Sequence, residues 1–584
     1  MRIREVEQLT GLSRKAVRLY EAKGLLSVER SDNDYREYDE EDVARLKKIA
    51  VLRRAGVSVT DIQLWQNGVI SGGEMIDKRL SELLAETDTA ESQVKLCKYL
   101  SEYIGEPDFA SDANTVLLLG SLPDCGDDEG DTLENIKRFA PHIIGFDIGT
   151  TTISAAVIDQ KTKAASAVYT MQNKYFIQAE NAWEHIQSAE NIYNDVKRLL
   201  DFIIKRFTDI RAIGIAGQMH GILFTDGNAA ALSPLYTWQD ERADIGSPSA
   251  CSLIREKTGY NVPHGFGLAT YYSEQQSGSV PKGATAICTI MDYIAMKLCG
   301  LSHPVTHASN AASLGLYSLK ENRFDPEALS KLGISFDVLP DIVADEKIIG
   351  YYNNIPVSVP IGDNQADFIG TVSDLQSSAL ANFGTGSQIS LLSNSPECDL
   401  QTPDIEVRPF IEGKYIISGS ALCGGRAYAV MERFFNRYAV SCGLADKPQY
   451  DILNRLAADG IKSGAYLPVR TSFCGLRSDP DARGQINNIS EDNFTPEALL
   501  AGTLIGMAKE LYNMYLSMPH ENITSLITSG NASRLNPALP AALEKVFKMK
   551  VSVTDRRESA AVGAALLAEK ALKNNKNKAA KLKK

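Results

Sequence analysis

The chain has no run of eighteen consecutive apolar residues, so no membrane-spanning helix of ordinary length is expected. Its first residues, MRIREVEQLTG, lack the apolar core of a secretory signal. Its nine cysteines include no CxxC pair. That is neither a zinc pattern nor a disulfide framework, and a reducing cytoplasm is the expected setting. A basic excess is missing too. The net charge of −12 argues against a protein that coats nucleic acid along its whole surface. It leaves room for a small DNA-reading module. What is present is ordinary for a globular protein: 44% hydrophobic and 23% charged residues. At 584 residues the chain should hold several domains.

Two segments echo each other. IIGFDIGTTTISAAVID (143–159) and LANFGTGSQISLLS (380–393) each read as an apolar strand, a Gly-Thr turn and a second alternating strand. The turns Gly149-Thr150-Thr151 and Gly384-Thr385-Gly386-Ser387 offer bare N–H groups and hydroxyls of the kind that hold phosphate oxygens. Between them lies IGDNQAD (361–367), a carboxylate at a strand end. Two phosphate hairpins facing each other across a cleft, with a carboxylate between, resemble the phosphoryl-transfer site of the FGGY carbohydrate kinases. The likeness spans roughly residues 143–569.

That resemblance implies an α/β fold: two actin-like (ribonuclease H-like) domains with a cleft between them, 142–376 binding sugar and 377–569 binding nucleotide. It implies ATP and Mg²⁺ as cosubstrate and cofactor. Asp363 would be the base that takes the proton from the sugar hydroxyl, with Gly362 allowing a sharp turn before it. Asp147, with Asp363, would organise the water shell of Mg²⁺, which keeps several waters and few protein ligands. ITSGNASRLNP (527–537) resembles the family's adenosine motif and implies Gly530, Asn531 and Asn536 beside the nucleotide. Glu558 and the small residues Ala560, Ala561, Gly563, Ala564 and Ala565 read as a helix packed close to this site. GIAGQMHG (214–221) and TWQDERA (237–243) place Gln218, Met219, His220, Trp238 and Asp240 toward the sugar. Sugars present C–H faces as well as hydroxyls, so an aromatic with polar partners suits them. Those motifs resemble sedoheptulokinase-like and xylulokinase-like members, which implies a ketose substrate of seven carbons, or xylulose.

The first hundred residues belong elsewhere. Ile3, Val6 and Leu9 share a helix face, and Gly11-Leu12-Ser13 makes a turn whose Ser13 caps the next helix. That helix carries Arg14, Lys15, Arg18 and Tyr20. A polar hairpin with Arg30, Tyr35 and Arg36 follows, turning at Asn33-Asp34. Val43, Leu46, Ile49 and Leu52 then line one face of a further helix. The pattern RLYEAKGLL…YREYDEEDVARLKKI…LRRAGVSVTDI resembles the MerR regulators, which implies an all-α/winged helix–turn–helix domain (1–72) reading double-stranded DNA through the eight residues Ser13, Arg14, Lys15, Arg18, Tyr20, Arg30, Tyr35 and Arg36. Charge alone does not reveal it: residues 1–60 hold thirteen basic against eleven acidic side chains. From Ile76 to Ile104 apolar and small residues recur at steps of four and three. This helix (73–104) either pairs with its twin in a homodimer, as in MerR relatives, or packs on the chain's own core. Residues 105–141 read as an acidic linker in which TVLLLGS (115–121) forms a strand, and the seven lysines of 570–584 as a solvated, disordered tail. The combination is expected to phosphorylate a ketose and to link that act to transcription. The alternative is a regulator whose kinase part serves only as a sugar sensor.

Overall fold

A computed structural model describes residues 1–10, 12–26, 28–30, 36–85, 100, 140–207, 209–396, 404–476, 479, 481–554 and 558–582. The expected acidic linker with its strand at 115–121, the hairpin turn Asn33-Asp34, and the seam positions beyond Leu83 lie outside the described residues.

The N-terminal module comprises α1 (Ile3–Thr10), α2 (Arg14–Ala22), the hairpin of β1 (Glu29–Arg30) and β2 (Arg36–Glu37), α3 (Glu40–Arg54), α4 (Val59–Gln66) and α5 (Gly72–Ala85). Ser13 caps α2 by accepting from the Ala16 amide at 3.1 Å. Asp39 and Asp42 form a reciprocal capping box at the start of α3. Val43, Leu46, Ile49 and Leu52 are buried as the helical period requires. Leu9, expected beside Ile3 and Val6, is instead 51% exposed. Six residues after Ile3, it has rotated off the face that Val6 occupies.

Two sheets of the same plan follow. The first contains β3 (His142–Ile148), β4 (Thr152–Asp159), β5 (Ala165–Gln172), β6 (Ile210–Gly217), β7 (Ile348–Tyr352) and β8 (Ile355–Ser358), in spatial order β7-β8-β6-β3-β4-β5. The second contains β9 (Ser378–Phe383), β10 (Ser387–Ser393), β11 (Ile405–Pro409), β12 (Tyr415–Ala421), β13 (Ser525–Ser529) and β14 (Lys550–Val553), in order β11-β12-β10-β9-β13-β14. In the first, the antiparallel strands β5-β4-β3 continue into parallel β6 and β8, with β7 antiparallel at the far edge; in the second, four antiparallel strands β11-β12-β10-β9 continue into parallel β13 and β14. β3 and β6 are nearly continuous apolar runs because both faces of the sheet are covered. Helix α6 (Ala189–Arg206) contributes Leu199, Leu200 and Ile203 to that core.

The two sheets meet through α7 (Asp363–Thr371) and α11 (Ser559–Leu582), which pack closely against each other. Small residues make the approach possible. A Cβ at Gly145 would lie 1.9 Å from the Ala561 carbonyl oxygen, and one at Gly563 1.8 Å from that of Ala366. The expected close-packed helix at Ala560–Ala565 is therefore seen, seated on both β3 and α7. The tail expectation is corrected. Helix α11 runs to Leu582, Ala571 and Leu572 are buried, Lys570 pairs with Glu412 and Glu346, and Asn574 donates to the Glu346 carbonyl at 3.4 Å. A lysine-rich segment carries a helix when acidic partners such as Glu346 and Glu412 lie alongside its first turn.

Candidate active site

β3 ends at Asp147-Ile148, and its turn returns into β4 with the Gly149 amide donating to the Thr152 carbonyl at 2.8 Å. The matching turn of the second sheet joins β9 to β10. Between them, Ile361-Gly362 adds a short parallel strand against Ala216-Gly217 and delivers Asp363 as the first residue of α7. Gly362 has an ordinary extended backbone (φ −64°), so the sharp-turn expectation is corrected. Glycine is needed there for space: a Cβ would sit 2.5 Å from Met219 Sδ.

A cavity of about 400 Å³ opens at this point, lined by Asp147, Asp363, Asp367 and Glu558 with Asn364, Asn382, Gln388 and Ser559. Burial, above all, pushes the Asp363 carboxyl up to about 6. The Asn364 amide, 2.7 Å away, and the Arg408 guanidinium act in the opposite direction, and the Asp367 carboxylate adds to the rise. Asp147 is pushed well above the usual carboxylate range, first by burial and then by Asp363, Glu558 and Asp367. Asp367 is also raised by burial, against hydrogen bonds from Ser559, Thr371 and Asn382. Carboxylates gathered without a cation are costly, so the arrangement is built for a positive charge. The Asp147 Oδ1 atom is buried and makes no hydrogen bond. Among the described residues no three His, Cys, Asp or Glu side chains converge to hold a metal by themselves. This donor set fits a hydrated Mg²⁺ shared with phosphate oxygens.

Around the first hairpin the expected sugar residues are linked through side chains. Thr150 Oγ1 donates to Gln218 Oε1 at 3.2 Å and accepts from Trp238 Nε1 at 3.1 Å. Gln187 Nε2 donates to the Thr150 carbonyl at 2.8 Å, and Gln218 Nε2 donates to Gln187 Oε1 at 3.0 Å. Trp238 keeps 47% of its surface exposed, leaving a ring face free. Thr151 is exposed beside it. His220 adopts φ +74°, bonds through Nδ1 to the Ser313 carbonyl at 2.9 Å, and stacks on Phe266 at 4.2 Å. Met219 is buried, with Arg408 Nη1 donating to its sulfur at 3.8 Å. Asp240 is corrected. It is fully buried, bonds Arg242 Nε at 2.7 Å and accepts from the His185 amide at 3.0 Å, so both oxygens are engaged behind the site.

The second hairpin, where the nucleotide phosphates are expected, is held by backbone. The Gly424 amide donates to the Thr385 carbonyl at 3.0 Å, the Gly425 amide to the Gly384 carbonyl at 2.9 Å and the Arg426 amide to the Thr385 carbonyl at 3.2 Å. These amides open helix α8 (Gly425–Ser441). Gly384 and Thr385 are exposed, and a Cβ at Gly384 would meet nothing within 4 Å. Ser387 Oγ is buried with no hydrogen-bond partner. Gly530 (φ +90°) sits so close to the Phe383 carbonyl oxygen, 2.4 Å from a notional Cβ, that only glycine fits. It starts α10 (Asn531–Leu535), where Asn531 accepts from Arg534 Nη2 at 2.8 Å. Asn536 Oδ1 accepts from the Ala538 amide at 3.0 Å.

The sequence reading missed Gln187, Asn364, Asp367, Asn382, Gln388, Arg408, Gly424 and Gly425, and took Glu558 only as part of a packed helix. In the IGDNQAD segment, Asn364 and Asp367 fall one and four residues after Asp363, a spacing that puts Asp367 on the same helical face. Asn382 and Gln388 flank the second hairpin within 380–393, while Gln187, Arg408, Gly424 and Gly425 come from separate segments and carry no local signal.

In the N-terminal module Arg14, Lys15 and Arg18 are exposed on α2. Arg14 pairs with Glu7 and Arg36 with Glu21, each at 2.6 Å. Arg30 lies in the wing strand β1, and Tyr35 falls outside the described residues. Tyr20 is corrected: at 3% exposure it belongs to the module's core and is not open to DNA. Along the seam helix, Met75 and Ile76 are buried within the chain itself.

The FGGY carbohydrate kinase N-terminal and C-terminal domain models match residues 142–381 and 382–572, and the MerR HTH family regulatory protein model matches residues 1–68. A mouse (Mus musculus) protein named sedoheptulokinase is 25% identical over 465 residues, covering 73% of this chain and 97% of that one. A glycerol kinase of Alteromonas mediterranea is 26% identical, covering 73% and 90%. Among solved structures, a xylulose kinase from Lactobacillus acidophilus superposes with a TM-score of 0.61 at 21% identity, covering 74% and 90%. A "xyloylose kinase" from Brucella ovis gives 0.63 at 20%, with the same coverage. The last two likenesses establish the fold.

Proposed function

The chain belongs to the FGGY family of carbohydrate kinases and carries a MerR-type helix–turn–helix domain, and from that premise we propose that it transfers the terminal phosphoryl group of ATP to a ketose. Sedoheptulose is the favoured acceptor and xylulose the next. The likeness to proteins named sedoheptulokinase supports the first choice. The observation that carries the reading is the placement of Asp363 at the head of α7, between two phosphate-type hairpins and facing Asp147.

Asp363 accepts the proton of the attacking sugar hydroxyl. A carboxyl whose pKa is raised to about 6 is a stronger base than a surface aspartate and is still mostly ionised at neutral pH. Trp238 and His220 hold the ketose so that this hydroxyl points at the terminal phosphate, and Gln218, buried and bonded to Thr150 and Gln187, braces the turn beside them. Thr385, Gly386 and Ser387 hold the phosphates from the second sheet, and Gly530, Asn531 and Asn536 border the adenosine. Asp147 and Asp363 would hold hydrated Mg²⁺, which neutralises phosphate charge and orients the leaving group. A set of ketoses offered with ATP tests this directly. Phosphorylation of one with kcat/KM at least tenfold above the rest identifies the acceptor, and no turnover of any ketose refutes the enzyme reading.

A second role accompanies the first. The N-terminal module packs on the first kinase sheet: Arg206 Nη1 donates to the Lys23 carbonyl at 3.2 Å, and Lys174 pairs with Glu74. Arg14, Lys15 and Arg18 read double-stranded DNA, two copies of the chain meet on a two-fold site, and sugar or nucleotide binding shifts DNA affinity. If turnover proves negligible while sugar still shifts DNA binding, the kinase domains act as the sensor. The setting for both roles is the cytoplasm.

A further inference from the structure

The N-terminal module touches the kinase at one point that leads straight into the carboxylate cavity. Glu558 precedes α11 with a left-handed backbone (φ +56°), a conformation that side chains other than glycine adopt at a cost. Its carboxylate lines the cavity with Asp147 and Asp363. Glu558 Oε1 accepts from Thr170 Oγ1 at 3.0 Å. Thr170 lies on β5, the edge strand of the first sheet. Its backbone carbonyl accepts from Lys78 Nζ at 3.4 Å. Lys78 belongs to α5 of the N-terminal module and is held by Asp61 Oδ1 at 2.7 Å. One strand residue thus receives the DNA-binding module on its carbonyl and fixes a cavity carboxylate with its hydroxyl.

We propose that Thr170 and Glu558 are a positioning pair for the metal-bound nucleotide, and that docking of α5 through Lys78 sets the pair's geometry. This names the contact behind the coupling proposed above and rests on the cavity holding the nucleotide's metal. The physical argument is electrostatic. Four carboxylates share this cavity, so the direction in which one points changes the field at a divalent cation. Thr170 holds Glu558 toward β5. Without that bond the carboxylate turns by side-chain rotation, and the cation site loses its arranged form. A pull on the Thr170 carbonyl displaces the same residue's side chain, because both leave one rigid strand position.

The test uses the full chain and titrates ADP at several Mg²⁺ concentrations by calorimetry. Thr170→Val should weaken Mg·ADP about fivefold or more, within the ordinary range of coupled sites. Thr170→Ser, which keeps the hydroxyl, should restore wild-type affinity, and ketose affinity should not move in either. Lys78→Met should weaken Mg·ADP in the same direction, and the double variant Lys78→Met/Thr170→Val should be no weaker than Thr170→Val alone. Hydrogen exchange in residues 72–85 should change on adding Mg·ADP to wild type and not to Thr170→Val. Variants that bind like wild type, or effects of Lys78 and Thr170 that simply add, overturn the proposal. A wild-type chain that binds no Mg·ADP overturns the cavity assignment and this proposal together.

Discussion

The hairpin at Gly149–Thr151 and the hairpin at Gly384–Ser387 occupy equivalent places in two sheets of the same plan, yet different groups hold them. The first adds side-chain ties to its main-chain bonds: Thr150 to Gln218 and Trp238, Gln187 to the Thr150 carbonyl and Asn173 to the Gly149 carbonyl. The second is tied by main-chain amides of Gly424, Gly425 and Arg426. Side-chain ties are changed by single substitutions, so on the function proposed above the first hairpin is the one that substitution can retune. Backbone ties are indifferent to side-chain identity except at glycine, so the second hairpin is disturbed chiefly where a Cβ would meet main chain.

The carboxylate shared by both halves should show the largest effect. Asp363→Asn is expected to lower kcat by about 10²–10⁴-fold while ketose and ADP still bind. Steady-state kinetics with calorimetry checks this, and turnover near wild type removes Asp363 from the base role. The comparison itself is tested next. A Cβ at Gly424 would lie 2.0 Å from the Gly386 carbonyl oxygen, backbone against backbone. Gly424→Ala should destabilise the second domain by about 4 kcal/mol, the far tail for point substitutions. Gly384→Ala has open space, so it should fold normally and raise KM for ATP alone. Unchanged ATP affinity in a folded Gly384→Ala protein places the phosphates elsewhere.

How much of this was legible in the sequence follows from the same division. Both hairpins, Asp363 and the close-packed Ala560–Ala565 helix were read from local pattern, because a strand–turn–strand echo and runs of small residues are contiguous signals. Gly424 was not, since its partner Gly386 lies 38 positions away and two glycines in a row look like any loop. Asp240 and Tyr20 misled for one reason: residue type suggested exposure, and burial is decided by neighbours distant in sequence, such as the His185 amide that donates to Asp240. The lysine-rich end misled because composition suggested disorder where Glu346 and Glu412 supply acidic partners. Glu558 lay in plain sight but became a site residue only once β5 was placed beside it.

Reliance on side chains should also make the acceptor half sensitive to acid. His307 caps the short helix 308–314, with Nδ1 accepting from the Ser309 amide at 3.1 Å, a bond only the neutral imidazole can make. Burial holds its pKa down at about 4 against an ordinary value near 6.5. The folded pKa is depressed, so the stabilisation is fully present above about pH 6.5, declines as pH falls below it, and is fully lost once pH has passed the folded value near 4. The ceiling on this loss is about 3 kcal/mol at 1.36 kcal/mol per pKa unit. Urea unfolding at pH 7 and pH 5 should show the loss in wild type. His307→Asn, which caps without titrating, should flatten it. Equal pH slopes in both proteins assign the acid sensitivity to other groups.

The smallest expected effect decides which half owns Thr150. Its turn resembles a phosphate cradle, but its hydroxyl is committed to Gln218 and Trp238 on the acceptor side. Trp238→Phe keeps an aromatic face for the sugar and removes only the Nε1 donor. A single neutral hydrogen bond contributes about 1 kcal/mol net, which corresponds to about a fivefold change. If the acceptor half is a side-chain lattice built around the ketose, KM for the sugar should rise by about that factor while kcat and KM for ATP stay put. A rise in KM for ATP with sugar binding intact reverses the assignment: Trp238 then orients Thr150 for the phosphate, and the two hairpins differ in how they are held but not in what they hold.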